Sequence, residues 1–196
     1  MTATGAVLCG GKSSRMGEDK ASLQLNGQPM SEWVAGAMKK AGLESVVALG
    51  GHSSINMPIV PDELDAQGPL HVLINAVERL GDIVVCPCDV PLVSGKLFNL
   101  ILAAGEASKK PVVLAKSDRL QPLIGLYKKS SLELLKFGFD RGVRGPKFAL
   151  SEGDFSVVEA SSSETQNINT PEEFAALTDS LRASSVASSR YPLDTR

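Results

Sequence analysis

Short apolar runs of strand length alternate along this chain with segments of helical period, which is typical of an α/β domain with a mostly parallel sheet. Seven runs are predicted as strands: Ala3–Leu8, Ser45–Leu49, Met57–Val60, Asp82–Cys86, Pro111–Ala115, Pro122–Leu126 and Phe155–Val158. Five segments are predicted as helices: Ser31–Ala41, Pro69–Leu80, Gly95–Ala104, Ser130–Phe137 and Pro171–Arg182. In such sheets ligands bind outside the carboxyl ends of the strands, so polar residues just after a strand are the first candidates for function.

Length and composition are those of one ordinary domain. The chain has 196 residues, of which 43% are hydrophobic and 21% are charged, enough to build a sizeable core. We predict a single domain over residues 1–182 and a mobile tail over residues 183–196, where small polar residues show no apolar period. Residues 128–152 are richer in basic residues and interrupt the alternation, and we expect them to form a helical cover over one end of the sheet.

Charge and cysteine content narrow the partners and the compartment. The formal net charge of −2 gives no general attraction to nucleic acid or to an anionic membrane. We find no signal peptide and no apolar run long enough to span a membrane. Cys9, Cys86 and Cys88 form an odd set without a disulfide framework, which indicates reduced, buried thiols. We therefore predict a cytoplasmic protein without a nucleic-acid or membrane partner.

The segment from Leu8 to Lys20, LCGGKSSRMGEDK, carries most of the functional information. It follows the first predicted strand, and Gly10 and Gly11 allow a sharp turn whose backbone N–H groups can cradle an anion. Three cations follow within the same segment: Lys12, Arg15 and Lys20. A strand, a glycine turn and fixed positive charges in this order predict a triphosphate site. The competing interpretation is a surface loop with solvated charges.

The spacing excludes two familiar phosphate-binding motifs. A P-loop requires G-x-x-x-x-G-K-[ST], and the lysine that follows Gly11 lacks the upstream glycine. The dinucleotide fingerprint G-x-G-x-x-G at the start of a helix is also absent from this segment. The turn therefore indicates another class of nucleotide-binding protein.

The segment closely resembles the N-terminal motif of the molybdenum cofactor guanylyltransferases, L-x-G-G-x-S-x-R-M-G-x-D-K. This resemblance implies a three-layer α/β/α, Rossmann-like nucleotidyltransferase fold of the nucleotide-diphospho-sugar transferase type, with a mostly parallel sheet. The GTP-binding residues that it implies in this segment are Leu8, Cys9, Gly10, Gly11 and Lys20. It further implies that Arg15 and Lys20 act in catalysis. Cys9 stands where the family usually has alanine.

Asp89 and Asn169 each allow two interpretations from local sequence. Asp89 follows a buried strand in VVCPCDVPLV, where its carboxylate can hold Mg²⁺ against phosphate oxygens or serve a turn. Asn169, in NINTPEE, offers a neutral oxygen ligand or simply precedes a helix that Thr170 caps. The family has C-D-x-P and N-x-N-T-P-E-E at these places. The resemblance therefore implies that Asp89 and Asn169 bind the metal, and that Asp89 also contacts GTP and acts in catalysis.

The resemblance also implies residues for the base and for the second substrate. Asp62 and Gly68 are assigned to GTP, although Val72 replaces the last glycine of the family's G-P-L-x-G and the asparagine expected before Gly50 is absent. Three basic residues are candidates for the pterin substrate: Arg141, Arg144 and Lys147. Arginine's planar fork suits phosphate, and an ordinary solvated loop is an equal alternative for this stretch.

Together these features predict a Mg²⁺-dependent enzyme that transfers GMP from GTP to molybdopterin and releases pyrophosphate. The attacking phosphate oxygen is already an anion, so positioning and charge neutralisation suffice without a strong general base. The implied partners are GTP, molybdopterin, other molybdenum cofactor biosynthesis proteins and the molybdoenzymes that accept the product. Two alternatives stay open: a CTP- or UTP-dependent transferase acting on a pterin or sugar phosphate, and a non-catalytic GTP-binding regulator.

Overall fold

The fold was obtained as a computed structural model, which describes residues 2–10, 20–51, 56–61 and 67–189. Its central strands are β1 (Thr4–Leu8), β4 (Val46–Leu49), β5 (Ile59–Val60), β6 (Ile83–Pro87), β7 (Val112–Lys116), β8 (Leu120–Tyr127) and β9 (Phe155–Glu159). They form one seven-stranded sheet in the order β5-β4-β1-β6-β8-β7-β9. A separate hairpin consists of β2 (Gln24–Leu25) and β3 (Gln28–Pro29).

The sheet is mostly parallel. β1 is parallel to β4 and to β6, β4 is parallel to β5, and β7 is parallel to β9, whereas β8 runs antiparallel to both of its neighbours, β6 and β7. The chain builds outward from β1 to β4 and β5, and then returns to place β6 on the other side of β1. This change of direction makes a topological switch point at the carboxyl ends of β1 and β6.

Helices cover both faces of the sheet. They are α1 (Met30–Lys40), α2 (Pro69–Leu80), α3 (Gly95–Ala107), α4 (Leu132–Asp140), α5 (Pro146–Ala149) and α6 (Pro171–Ser189). Val34 of α1 and Phe98 of α3 share one buried cluster with alternate residues of the strands. Leu73 of α2 and Leu135 of α4 share the cluster on the opposite face. These two cores give three layers, which confirms the predicted α/β/α class.

Each of the seven predicted strands and five predicted helices is found, with ends shifted by a few residues. The basic segment 128–152 contributes α4 and α5, and α4 packs beside α2 on a face of the sheet. The expectation that this segment covers an end of the sheet was therefore wrong. The apolar positions Leu132 and Leu135 recur at helical spacing and require burial against the sheet face. Helix α6 continues past its expected end at Arg182 to Ser189.

A third, smaller cluster joins distant parts of the chain. Leu25 of the hairpin, Met30 at the start of α1 and Ile168 are almost completely buried together, and Phe174 of α6 packs against them. This cluster fixes the segment before α6 beside the segment that follows residue 20. Within the described residues, none of the helices combines the length and apolarity that crossing a membrane requires.

Candidate active site

The site lies at the switch point between β1 and β6. The two strands pair up to Leu8 and Pro87, and the N–H of Cys88 then donates to the carbonyl of Leu8 over 3.0 Å. The two strands therefore end at the same level of the sheet. Gly10 follows the end of β1, and Asp89 follows the end of β6. Parallel strands at a switch point leave a crevice between the loops that diverge from them.

The first part of the glycine turn is anchored to the neighbouring strand. The N–H groups of Cys9 and Gly10 both donate to the carbonyl of Leu49, over 3.0 and 3.1 Å, so these two amides already have an acceptor in the sheet. Cys9 is buried and Gly10 is exposed. The anchoring sets the direction in which the chain enters the turn. Two residues assigned to it from sequence, Gly11 and Arg15, lie outside the described residues.

Lys20, Asp89 and Asn169 meet at one point. The Nζ of Lys20 donates to Oδ2 of Asp89 over 3.1 Å and to Oδ1 of Asn169 over 2.8 Å. The side chains of Lys20 and Asp89 are only 17% and 15% exposed, so the pair is largely withdrawn from water. Hydrogen bonds to an ion are stronger than neutral ones, and partial burial strengthens them further. The structure thus brings together three residues that sequence reasoning selected from three separate motifs.

Asn167 controls the orientation of the Asp89 carboxylate. Its Nδ2 donates to Oδ1 of Asp89 over 2.9 Å, which leaves Oδ2 directed at Lys20. The N–H of the buried Ile168 donates to the backbone carbonyl of Asp89 over 2.8 Å. Sequence reasoning assigned no role to Asn167, although its spacing of two from Asn169 was a usable signal for two side chains on one side of an extended segment.

Asn167→Ala tests this positioning role. We expect kcat to fall about tenfold while the unfolding free energy changes by about 1 kcal/mol, because the variant frees the carboxylate to rotate but removes only one hydrogen bond. Steady-state kinetics and thermal unfolding measure the two effects. Asn99→Ala, which removes an exposed amide from α3, is the matched control. Equal and small effects of both variants on kcat would contradict the role.

The backbone of Asn169 is locked by the cap of α6. Glu173 accepts from the N–H groups of Asn169 and Thr170 through Oε2, over 2.6 and 3.1 Å, and its own N–H donates to Oγ1 of Thr170 over 3.2 Å. This is the reciprocal capping arrangement that the sequence predicted. It holds Asn169 at the helix entry while its carboxamide reaches Lys20.

A buried serine holds the turn that carries Lys20. The Oγ of Ser31, which has no exposed surface, donates to the carbonyl of Ala21 over 2.7 Å. Ala21 is itself fully buried. Its burial and the hydrogen bond from Ser31 therefore both fix the backbone next to Lys20. The freedom that Lys20 retains is therefore mainly in its four-carbon side chain.

Ser31→Ala is expected to lower the unfolding free energy by about 1–3 kcal/mol, because the Ala21 carbonyl loses the hydrogen bond from the Ser31 hydroxyl at a buried position. Activity should fall by a smaller factor than in variants of Lys20 itself, since the side chain at the site is retained. Chemical denaturation and initial rates measure the two effects. Ser22→Ala, in the same turn but half-exposed, serves as the comparison. A Ser31 variant as stable as wild type would show that this hydrogen bond does not stabilise the turn.

A polar cavity of about 570 Å³ adjoins this cluster. It lies between the β7–β8 turn and the segment before α6, and its lining includes Arg119, Gln121, Thr165, Asn167 and Asn169. The two walls are tied together, since the hydroxyls of Ser117 and Thr165 lie 2.8 Å apart and Oγ of Ser162 donates to Asp118 over 3.0 Å. Sequence reasoning missed this cavity, because most of its lining, apart from Asn167 and Asn169, comes from segments without a motif.

The three basic residues proposed for the pterin lie in the segment from the end of α4 to α5, which packs beside α2 on one face of the sheet. The carbonyl of Arg144 accepts from the N–H of Leu70 over 3.0 Å, which places it beside Gly68 and the start of α2. Its guanidinium lies 4.2 Å from the Phe139 ring centroid, and that of Arg141 lies 5.4 Å from the Phe137 centroid. Lys147 is exposed on α5. The structure does not bring them to the lysine–aspartate cluster.

The region of the base is described in part. Gly68 has a φ of +89°, and a Cβ there would lie 3.1 Å from the carbonyl oxygen of Arg144, so this position needs glycine. Val72 packs against the core of the α2 face. The ring of His71 stacks on Phe139 with centroids 4.8 Å apart. Asp62, assigned to GTP from sequence, lies outside the described residues.

The three cysteines are buried and none forms a disulfide. Burial raises the pKa of the Cys86 thiol well above its ordinary value, and the nearby Asp89 carboxylate adds to the shift. A thiol with a raised pKa stays protonated and unreactive at neutral pH. The prediction of reduced, buried thiols is therefore confirmed. Separately, the described part of the chain has no group of three or more histidine, cysteine or acidic residues that could hold a metal.

A mostly parallel sheet with Gly10, Lys20 and the strand-end Asp89 at its switch point is typical of α/β nucleotide-binding proteins. The family model of the MobA-like NTP transferase domain matches residues 5–152, and the chain belongs to this family of nucleotidyltransferases. It is 31% identical over 185 residues to the molybdenum cofactor guanylyltransferase of Xanthomonas euvesicatoria, covering 89% of this chain and 93% of that protein.

A second relative agrees with this assignment, and a solved structure shares the fold. The molybdenum cofactor guanylyltransferase of Ectopseudomonas mendocina is 31% identical over 183 residues, covering 87% of this chain and 89% of that protein. The crystal structure of molybdopterin-guanine dinucleotide biosynthesis protein A from Archaeoglobus fulgidus superposes with a TM-score of 0.75 and 22% identity, covering 92% and 99% of the two chains. The recognition made from the sequence motifs is thereby confirmed, as is the prediction of an enzyme.

Proposed function

We propose that this nucleotidyltransferase transfers GMP from GTP to molybdopterin. The observation that supports this most directly is the meeting of Lys20, Asp89 and Asn169 at the switch point of the sheet. An ammonium and a carboxylate side by side suit a triphosphate and its counter-ion. The names of the relatives supply the nucleotide and the acceptor.

The residues present fit Mg²⁺. Asp89 and Asn169 offer one carboxylate and one carboxamide oxygen at the same point, and Mg²⁺ is commonly held by one or two protein oxygens together with substrate phosphates and water. When bound, the ion neutralises triphosphate charge and supports departure of pyrophosphate. Oδ2 of Asp89 and Oδ1 of Asn169 would hold it, and Asn167 would keep the aspartate in the required orientation.

The proposed reaction needs no nucleophilic side chain. A phosphate oxygen of the acceptor forms a bond to the α-phosphorus of GTP, the bond from that phosphorus to the bridging oxygen of the β-phosphate breaks, and pyrophosphate carries away the electron pair. Lys20 would stabilise the negative charge that develops on the leaving group, while Gly11 of the glycine turn and the side chain of Arg15 would bind the phosphates. The N–H of Gly10 already donates to Leu49, so Gly10 would serve by letting the backbone approach the phosphates closely. Fixed cations that match developing charge accelerate such steps.

The polar cavity is the site that we propose for the acceptor. Its wall includes Asn169, so a phosphate placed at that end would lie next to Lys20. Carboxamides, hydroxyls and the carboxylate of Asp118, which accepts from Ser162, line the rest of the cavity and suit an uncharged ring rich in donors and acceptors. Arg119 adds the one positive charge among the lining residues. Arg141, Arg144 and Lys147 are the second candidate for this role.

Paired variants separate the two placements of the acceptor. We expect Arg119→Ala to raise the KM for the acceptor about tenfold with the KM for GTP unchanged, because a lost charge-assisted contact costs about 1.4 kcal/mol or more. Arg141→Ala, which removes the same charge from the end of α4, should leave both KM values unchanged. Initial rates with each substrate varied in turn give the answer. The opposite pattern would assign the acceptor to the basic stretch.

The function itself is tested by pyrophosphate release with each of the four ribonucleoside triphosphates, with and without Mg²⁺ and with molybdopterin as acceptor. We expect release only with GTP, Mg²⁺ and the acceptor together. Release with CTP or UTP would keep the class of reaction and change the nucleotide. GTP binding without release under any of these conditions would make the chain a non-catalytic binder.

A further inference from the structure

We propose that, in the absence of nucleotide, the ammonium of Lys20 occupies the place of the metal ion. The lysine has to leave this place before the ion can bind, so nucleotide and metal must enter the site together. This inference rests on the proposed function, since it concerns the Mg²⁺ site of that reaction. It goes further by assigning an order of events to three side chains. The observation behind it is the place of the Lys20 ammonium, between Oδ2 of Asp89 and Oδ1 of Asn169.

The ammonium and a metal cannot share these oxygens. A Mg²⁺ ion lies about 2.0–2.1 Å from each oxygen ligand, whereas the Lys20 nitrogen lies 3.1 and 2.8 Å from the same two atoms. An ion bound by both oxygens would therefore occupy the space between them that the ammonium fills. Two positive charges at such a separation also repel strongly in a site withdrawn from water.

Asn167 limits how the Asp89 carboxylate can respond to an incoming ion. Its Nδ2 donates to Oδ1 of the aspartate over 2.9 Å, which holds the carboxylate with Oδ2 towards Lys20. Asn169 is fixed by the cap of α6 through its N–H, over 2.6 Å to Glu173. With both ligands anchored, the partner that must move is the lysine.

Lys20 is able to move without disturbing the fold. Its neighbour Ala21 is buried and held by Ser31 over 2.7 Å, so a change of side-chain torsions swings the ammonium while the backbone stays. A triphosphate bound at the carboxyl end of β1 offers the ammonium several negative oxygens in place of one carboxylate and one amide. The same movement then brings the lysine to the phosphates and opens the ligand pair to the ion.

The consequence is positive coupling between nucleotide and metal. The metal alone competes with a tethered ammonium and binds weakly, and the nucleotide removes that competitor. Linkage requires the effect to be mutual, so the metal also favours the nucleotide-bound position of Lys20. A wild-type protein without nucleotide keeps its acidic site neutralised by its own side chain.

The test measures Mn²⁺ binding in the absence of any nucleotide, from the loss of the EPR signal of free Mn²⁺. We expect Lys20→Met to bind Mn²⁺ about tenfold or more tightly than wild type, because the competing charge is gone. Lys40→Met, which removes an exposed lysine at the end of α1, should match wild type. Adding Asp89→Asn to Lys20→Met should abolish the gain, which would locate the new ion at this pair.

Equal Mn²⁺ affinity of wild type and Lys20→Met would overturn the proposal, and so would a gain that persists when Asp89 is replaced. Lys20→Gln, which keeps one N–H donor for Asp89 without the charge, provides the same comparison if the methionine variant is unstable. No nucleotide enters this titration. A gain in Mn²⁺ affinity in a chain that transfers no nucleotide would therefore refute the proposed function alone, and transfer without a gain would refute the exchange alone.

Discussion

Asp89→Asn is expected to lower kcat by about 100–1000-fold, which corresponds to about 2.7–4 kcal/mol of lost transition-state stabilisation. The substitution keeps the shape of the side chain. It also keeps an oxygen that can accept from Nδ2 of Asn167, so the hydrogen bond of 2.9 Å between the two segments is retained. What disappears is the negative charge that Lys20 contacts and that we propose as a ligand of the divalent cation.

The Mg²⁺ dependence of the rate gives the second readout for Asp89. We expect the concentration of Mg²⁺ needed for half-maximal rate to rise at least tenfold, because an amide oxygen is a weaker ligand than a carboxylate. Asp179→Asn, on the exposed side of α6, controls for the change in net charge. An unchanged Mg²⁺ titration in the Asp89 variant would remove this residue from the metal site, whatever the loss in rate.

Lys20→Met is expected to lower kcat by about 100–1000-fold with little loss of stability. The methionine keeps an apolar stem of similar length, so packing around the buried Ala21 is maintained. In the proposed reaction, the missing ammonium can no longer neutralise charge on the departing pyrophosphate. Its contacts with Asp89 and Asn169, at 3.1 and 2.8 Å, are also lost, and the resulting imbalance of charge is tolerable because Asp89 keeps Asn167 as a donor.

Kinetic and unfolding measurements on the same preparation separate the two roles of Lys20. We expect the thermal midpoint of Lys20→Met to lie within a few degrees of wild type, because the Asp89 carboxylate keeps the hydrogen bond from Asn167 and is still 15% exposed to water. Lys40→Met should leave both rate and midpoint unchanged. A Lys20 variant with normal turnover would exclude the residue from the chemistry, and one that unfolds much earlier than wild type would assign it a structural role instead.

The sheet and its flanking helices were predictable because their signal is local. Each strand is a short apolar run between turn residues, and Pro69 and Thr170 mark helix entries that the structure reproduces. The hairpin of β2 and β3 was missed, although its Asn26-Gly27 turn was a usable signal. Both turn residues have positive φ, 50° and 78°, as such tight hairpins require. Strands of only two residues carry no apolar period, which is why the prediction omitted them.

The candidate site was predictable only as far as motifs reach. The glycine turn, Asp89 and Asn169 stood out as residue types in the right places. That Lys20 contacts both of the latter could not be read from the sequence, because the contact depends on how β1 and β6 lie next to each other and on the buried Ile168. The polar cavity was not predicted for the same reason, since its walls come from segments that meet only in the folded protein.

The central contacts of the site span most of the polypeptide: Lys20 meets Asp89 across 69 positions and Asn169 across 149. During synthesis, a nascent chain that has formed β1 and β6 still lacks the segment that orients the aspartate. Closing contacts of such separation carries an entropic cost that local helices do not bear. The complete cluster therefore assembles late, when the segment that holds Ile168 and Asn169 packs onto the hairpin. Partial chains that lack this segment cannot form the cluster.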